Sequence, residues 1–267
     1  MKFTSRISTL LKKTGLLGLA EQLRFRWQQL KYRKRNRLFR QQYPDVPMPP
    51  DFFVYETYRL NLQEYYDDGK TVATEILTLL GQATDLIQHS PVILDWGCGP
   101  GRITRHLPVL LPGAKVMGCD YNKKYVAWCE QYLTGIRFFQ NGIDPPLEVS
   151  DHSLDALIGI SIFTHLSAKN HIAWMDELYR VLKKGGAAFI TTQGEAYKPV
   201  LLPAELESFN KGELVIRENF KEGNRLFAAF EPPAYIHQLI KDKFEVLQFI
   251  PAKNSEPSQD CWVLRKL

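Results

Sequence analysis

The run Val92-Ile-Leu-Asp95-Trp-Gly97-Cys98-Gly99-Pro-Gly101-Arg102 leads an apolar segment straight into a glycine-rich turn and then a helix-forming stretch. Glycines at 97, 99 and 101 let the backbone turn tightly and let a ligand approach amides with no side chain between. A loop of this kind at a helix N-terminus can hold the phosphates of a dinucleotide. The G-x-G-x-G spacing, however, departs from the G-x-G-x-x-G dinucleotide fingerprint, and no G-x-x-x-x-G-K phosphate loop is present. Asp95, two residues before the first glycine, suits a ligand bearing an amino group better than one bearing phosphate. Asp120 closes the apolar segment Lys115 to Gly118, where an acid at a strand end can take both hydroxyls of a ribose. The competing reading makes it a helix N-cap, a role open to Asp120 and Asn122 alike.

His165 follows the apolar segment Leu154 to Ile162. It falls at the carboxyl end of a parallel strand, where α/β proteins bind ligands, and an ordinary imidazole pKa near 6.5 suits proton transfer. Its alternative is a hydrogen bond to backbone at a helix start. His165 and His171 are six residues apart, off one helical face, so no metal site is expected. The four cysteines, at 98, 119, 129 and 261, form no C-x-x-C pair, which argues against a zinc knuckle or redox dithiol and for a reducing, cytoplasmic setting. Asp144-Pro-Pro-Leu147 reads as a turn.

These residues need a scaffold, and the pattern around them supplies one. Val72, Ile76, Leu79, Ala83 and Leu86 mark a helix, and Val92–Leu94, Ala114–Gly118, Ile136–Phe139, Leu154–Ile162 and Ala187–Thr192 read as strands. A helical stretch with Ile172, Met175, Leu178 and Leu182 is expected to end at Gly185 and Gly186. Alternating strands and helices imply parallel βαβ units, while Phe244–Ile250 and Cys261–Leu264, separated only by a polar turn, should pair antiparallel. The expected fold is α/β: a Rossmann-like, seven-stranded, mostly parallel sheet with an antiparallel last strand and helices on both faces.

Residues 1–40 carry twelve Lys or Arg against the single acid Glu21, whereas the remainder of the 267-residue chain carries 22 against 28, a net −6. That body does not attract nucleic acid by its bulk field, so polyanion binding would belong to the arm. Within residues 1–42, Leu16, Ala20, Leu23, Trp27 and Leu30 recur at helical spacing, giving a basic amphipathic helix. It is expected either to meet an anionic membrane surface or an acidic partner, or to fold back as a surface helix. Pro44, Pro47, Pro49 and Pro50 mark a linker, so residues 43–70 are expected to join and cover the domain 71–267.

Residues 92–102 with Asp120 resemble the cofactor site of class I S-adenosylmethionine-dependent methyltransferases, whose first motif is D-x-G-x-G-x-G. Asn141-Gly142, the segment Ser153 to Leu166, and the segment Glu177 to Gly186 resemble that family's later motifs in order. Phe163-Thr164-His165-Leu166 resembles a small-molecule subgroup, many of whose members are associated with sugars or glycans. The resemblance implies that Asp95, Gly97, Cys98, Gly99 and Gly101 hold the methionine end, Asp120 the ribose and Tyr121 the adenine face. It implies Asn141 and Gly142 at the adenine edge, although many relatives carry an acid there. Ser161 would stand near the transferred methyl, with Tyr66-x-x-Gly69 in a cover.

Acceptor recognition is expected from Tyr55, Tyr58 and Arg59 and from a lid at residues 195–233, with Glu231 as a second base candidate. The expected reaction moves a methyl from S-adenosylmethionine to a small polar acceptor, an oxygen on a glycan-like molecule. Rivals are an RNA or protein methyltransferase that uses the arm for capture, a non-catalytic module that only binds the cofactor, and a nicotinamide oxidoreductase.

Overall fold

The computed structural model describes residues 17–86, 90–218, 220–252 and 259–267, so the first sixteen residues of the arm, Leu16 among them, lie outside it. The chain divides into two compact units, residues up to 70 and residues 71–267.

The first unit is helical. Helix α1 (Leu17–Gln42) is followed by the proline-bearing irregular stretch, then by α2 (Asp51–Thr57), and α3 (Leu62–Ala83) begins in this unit. Residues 43–70, expected as linker and cover, are instead largely part of a small core of Phe39, Val54, Leu60, Leu62 and Tyr65. The aromatics explain this: Phe25 meets Phe52 and Tyr55 with centroids 5.4 and 5.3 Å apart, and Tyr66 packs with Phe39 and Tyr43. Rings bury much area per residue, which lets so short a segment hold together. No helix of the described residues is long and apolar enough to cross a membrane.

The second unit is built on a sheet of seven strands. They are β1 (Val92–Trp96), β2 (Lys115–Asp120), β3 (Arg137–Gln140), β4 (Leu154–Gly159), β5 (Leu182–Thr192), β8 (Phe244–Ile250) and β9 (Asp260–Lys266), in the order β3-β2-β1-β4-β5-β9-β8. The pair β6 (Val215–Arg217) and β7 (Ala228–Phe230) forms a separate hairpin. The five strands from β3 to β5 run parallel, and β9 lies antiparallel to both β5 and β8. Alternate residues feed opposite layers, as strand geometry requires. Ile93, Val116, Ile158, Phe189 and Val263 pack with Ile76, Leu80 and Leu107 on one face. Leu94, Met117, Leu157, Ile190 and Leu264 pack with Trp174, Met175, Leu178, Ile236 and Ile240 on the other. Burial on both faces is why these strands read as continuous apolar runs.

Two boundaries differ from expectation. Strand β4 stops at Gly159, because the chain turns and Ser161 adopts a left-handed φ of 61°. The helix after it (Ala168–Val181) ends before Leu182, which opens β5, and Gly185 and Gly186 lie inside that strand. A Cβ on Gly186 would stand 2.9 to 3.2 Å from the carbonyl oxygens of Lys183, Leu154 and Asp155, so glycine here serves close strand packing at a register shift rather than a helix stop. Residues 195–233 carry structure of their own, with helix Pro203–Asn210 and the β6–β7 hairpin around Phe209, Val215 and Phe230.

Candidate active site

Sheet order reverses between β1 and β4, and open α/β sheets bind ligands at such a switch point. The glycine loop sits there, with Gly97, Gly99 and Gly101 at φ of 75°, 53° and 71°. Its amides are not bared for a ligand, as the sequence suggested. Parallel pairing of β1 with β2 brings the Cys119 carbonyl beneath the turn, where the amides of Gly97 and Cys98 donate to it at 2.8 and 2.9 Å. Gly99 N donates to Asp120 Oδ2 at 2.9 Å, and Gly101 N to the Cys98 carbonyl at 3.0 Å. The missing side chain at Gly97 makes room for Ile162 instead: a Cβ there would stand 2.0 Å from Ile162 Cδ1. Cys98 is buried, its sulfur 3.2 Å from where a Cβ on Gly118 would be, so its side chain packs beneath the loop.

Beside the loop opens a cleft, at the place where open α/β sheets bind small ligands. It brings together Gly97, Asp120, Tyr121, Asn141, Gly142 and His165 of the expected residues. Trp96, Ile143, Ile162, Leu166, Trp174 and Gly223 complete its wall and were not anticipated. Trp96 was legible as the residue between Asp95 and Gly97. Trp174 arrives from a distant helix, donating from Nε1 to the Ile143 carbonyl at 2.8 Å. Asp95, Cys98, Gly99, Gly101 and Ser161 lie off this wall.

Asp120 accepts from Gly99 N and, at 2.7 Å, from Asn122 N. The N-cap is Asn122, whose side chain accepts from Lys124 N at 3.1 Å. Burial pushes the Asp120 carboxyl up to about 6, against the pull of those two amides. Asp95 is likewise pushed up to about 6 by burial, while the Thr104 hydroxyl, donating to Oδ2 at 2.5 Å, pulls the other way. Asn141 Oδ1 is buried with no hydrogen-bond partner. Tyr121 donates its hydroxyl to the Gly223 carbonyl at 2.8 Å, tying the 195–233 segment to the end of β2.

His165 Nδ1 lies 2.8 Å from the Phe227 carbonyl. A carbonyl only accepts, so Nδ1 carries a proton, and whenever the ring is neutral Nε2 is its accepting nitrogen. Its own carbonyl accepts from Gly223 N at 3.0 Å. Ser161 is fastened to the sheet, donating from its backbone N to Thr191 Oγ1 at 2.8 Å and accepting from Gln259 Nε2. Glu231, expected as a second base candidate, is fully buried: Oε2 takes the Gln193 amide at 2.7 Å and Oε1 faces His171 Nε2 at 3.3 Å. Burial pushes its carboxyl up. Tyr55, Tyr58 and Arg59 use their polar ends inside the first unit, on Glu21, Asp68 and Glu64 respectively. Among the described residues no group of His, Cys, Asp and Glu could hold a metal ion.

Strand order, switch-point loop and acid-ended β2 are together those of the class I methyltransferase fold. Residues 93–186 match the family model described as a methyltransferase domain. A solved S-adenosylmethionine-dependent methyltransferase from Methanosarcina mazei is similar with a TM-score of 0.52 and 22% identity, covering 68% of this chain and 95% of that one. A 1,6-didemethyltoxoflavin-N1-methyltransferase from Burkholderia thailandensis, solved with 1,6-didemethyltoxoflavin and S-adenosylhomocysteine, has a TM-score of 0.52 and 15% identity, covering 82% and 92%. A curated relative, the demethylmenaquinone methyltransferase of Chlorobaculum parvum, is 30% identical over 116 residues, 43% of this chain and 46% of that protein. The match thus spans about half the length of the curated relative. Residues 93–186 thus resemble a methyltransferase domain, and the fold around them is one shared with solved S-adenosylmethionine-dependent methyltransferases.

Proposed function

We propose that this chain transfers the methyl group of S-adenosylmethionine to a hydroxyl of a small acceptor, with His165 as the base. The observation that carries the reading is the Nδ1 bond to Phe227, which fixes a proton on Nδ1 and so leaves Nε2 as the nitrogen that accepts whenever this ring on the cleft wall is neutral. The cleft's donor set fits the cofactor: the unpartnered, buried Asn141 Oδ1 suits an exocyclic amine, and the Asp120 carboxylate has lone pairs beyond the two amides it accepts.

In this reading Asp120 holds the ribose diol, Asn141 and Gly142 meet the adenine edge, and Tyr121 lies on its face. Asp95 provides negative charge behind the loop for the ammonium end. At Gly97 that end would meet backbone carbonyl rather than amide, since the amide is taken by the Cys119 carbonyl. When bound, the sulfonium supplies an already electrophilic methyl. The protein's task is therefore to align a nucleophile, keep water out and remove one proton. Alignment can lower a barrier by roughly 7 to 11 kcal/mol. Trp96, Ile162, Leu166 and Trp174 supply an apolar wall against water. A positioned base adds about 10²- to 10⁴-fold.

A small-molecule acceptor is supported by the names of the relatives, which concern demethylmenaquinone and 1,6-didemethyltoxoflavin. Neither name speaks for a glycan, so the glycan-like acceptor rests on the sequence resemblance alone. The test is S-adenosylhomocysteine formation by purified protein offered phenols, quinols and sugars in parallel. Turnover with a hydroxylated acceptor supports the reading. Cofactor binding without turnover on any of these, or on added RNA and protein fractions, would reduce the chain to a binding module.

A further inference from the structure

We propose that the outward face of α1 docks on an anionic membrane surface. Leu19, Leu23, Trp27 and Leu30 are 54%, 62%, 56% and 72% exposed, and their spacing places them along one side of the helix. The other side holds the helix in place. Gln28 Oε1 takes the Leu60 amide at 2.9 Å, and Asn36 donates to the Leu60 carbonyl at 3.1 Å while accepting from Leu62 N at 3.0 Å. Phe39, 2% exposed, packs on the same side. These bonds fix the rotation of the helix and leave the apolar stripe uncovered among the described residues. Single exposed apolar residues are ordinary, but a contiguous stripe with a tryptophan marks an interaction surface.

Charge identifies the occupant. Between Leu17 and Gln42 stand Arg24, Arg26, Lys31, Arg33, Lys34, Arg35, Arg37 and Arg40 against Glu21 alone, and Glu21 accepts the Tyr55 hydroxyl at 2.7 Å. Residues 1–16 add Lys2, Arg6, Lys12 and Lys13 and no acid. Arg26, Lys31, Arg33, Lys34, Arg35, Arg37 and Arg40 are exposed, and Lys31 Nζ lies 4.9 Å over the Trp27 ring. Arg33 and Arg37 line a groove beside Leu30, whose third cation, Arg40, is paired with Asp51 at 2.7 Å. Such a helix lies in the plane of the interface, apolar side chains among acyl chains and cations at phosphates. RNA would use the cations yet leave Leu19, Leu23 and Leu30 in water.

The full chain is sedimented with vesicles of phosphatidylcholine alone and of phosphatidylcholine mixed with phosphatidylglycerol. Binding to the anionic vesicles should exceed that to neutral ones by about tenfold or more and weaken as salt rises. The double variants Trp27→Ser with Leu30→Ser, and Arg33→Glu with Arg37→Glu, should each lower binding about tenfold, since one removes buried apolar area and the other the attraction. Both should keep the wild-type circular dichroism and cofactor affinity. Absence of sedimentation with anionic vesicles, or wild-type binding by the Trp27/Leu30 variant, overturns the proposal. So does tight binding of single-stranded RNA by a wild type that ignores both vesicle types.

Discussion

Asp120 Oδ2 accepts the Gly99 amide at 2.9 Å, so the carboxylate that ends β2 also closes the loop that follows β1. The same side chain stands on the cleft wall, where the proposed ribose contact lies. Asp120→Ala therefore removes two things, a charged acceptor for the ligand and the partner of two backbone amides. Leaving such groups without a partner costs about 1 to 3 kcal/mol. Calorimetry should show cofactor affinity reduced roughly 10- to 100-fold, together with a lower melting temperature. Unchanged affinity would reject the ribose assignment.

Burial also makes the site sensitive to acid. Asp95 and Asp120 are both pushed up to about 6, from an ordinary carboxyl near 3.8. Between those values the folded protein retains protons that the unfolded chain has lost. The contribution of these two groups to stability is thus greatest below about pH 4 and is lost as pH rises through 6. Cofactor binding, which in the proposed reading uses the ionised forms, should strengthen over the same window. Asp95→Asn keeps an oxygen for the Thr104 hydroxyl but no buried charge. It should stabilise the ligand-free protein at pH 8 by about 1 to 2 kcal/mol in urea unfolding, with little effect at pH 4, while weakening the cofactor. Equal effects at both pH values would show that the charge is not penalised.

What could be read in advance, and what could not, follows from the range of the interactions. The strand and loop from Val92 to Gly101 are encoded locally, by an apolar run and three glycines, and were legible, whereas the helix expected straight after them is a turn followed by the 3-10 stretch Thr104–His106 and the four-residue helix Leu107–Leu110. The partners of the loop amides were not, because the Cys119 carbonyl reaches them only through the register of β1 on β2. Glu231 was a base candidate beside two prolines, and nothing local announced its burial, since its partner His171 lies sixty residues earlier. In α1 the apolar stripe through Leu23, Trp27 and Leu30 was visible. The face that packs was hidden because it includes the polar Gln28 and Asn36, whose partners come from Leu60 and Leu62.

Gly97 is constrained twice, by its φ of 75° and by Ile162 across the cleft. An added methyl would meet Ile162 Cδ1 at 2.0 Å, where side chain or backbone must shift. Gly97→Ala should cost about 1 to 3 kcal/mol from overpacking, with further strain from the left-handed backbone. Ile162→Ala in the same chain should relieve the clash but not the backbone strain. A double-mutant cycle on unfolding free energy is expected to give a favourable coupling of at least about 0.5 kcal/mol. Strict additivity would mean that the two residues do not meet.

His165 tests the chemistry itself. Its Nδ1 proton is committed to Phe227, so the proton of an acceptor hydroxyl has Nε2 as its destination on this ring. His165→Ala should lower kcat about 10²- to 10⁴-fold with cofactor affinity nearly intact, since the ring's proposed contact is with the acceptor. A purely structural histidine would also lose activity through a displaced Phe227 strand, so the decisive reading is rescue. Added imidazole should restore part of kcat if the ring moves a proton, with the restored rate following the concentration of neutral imidazole as pH changes. Rescue should be absent if the ring serves only to hold Phe227. Full turnover without the ring would remove His165 from the mechanism and leave alignment alone to account for methyl transfer.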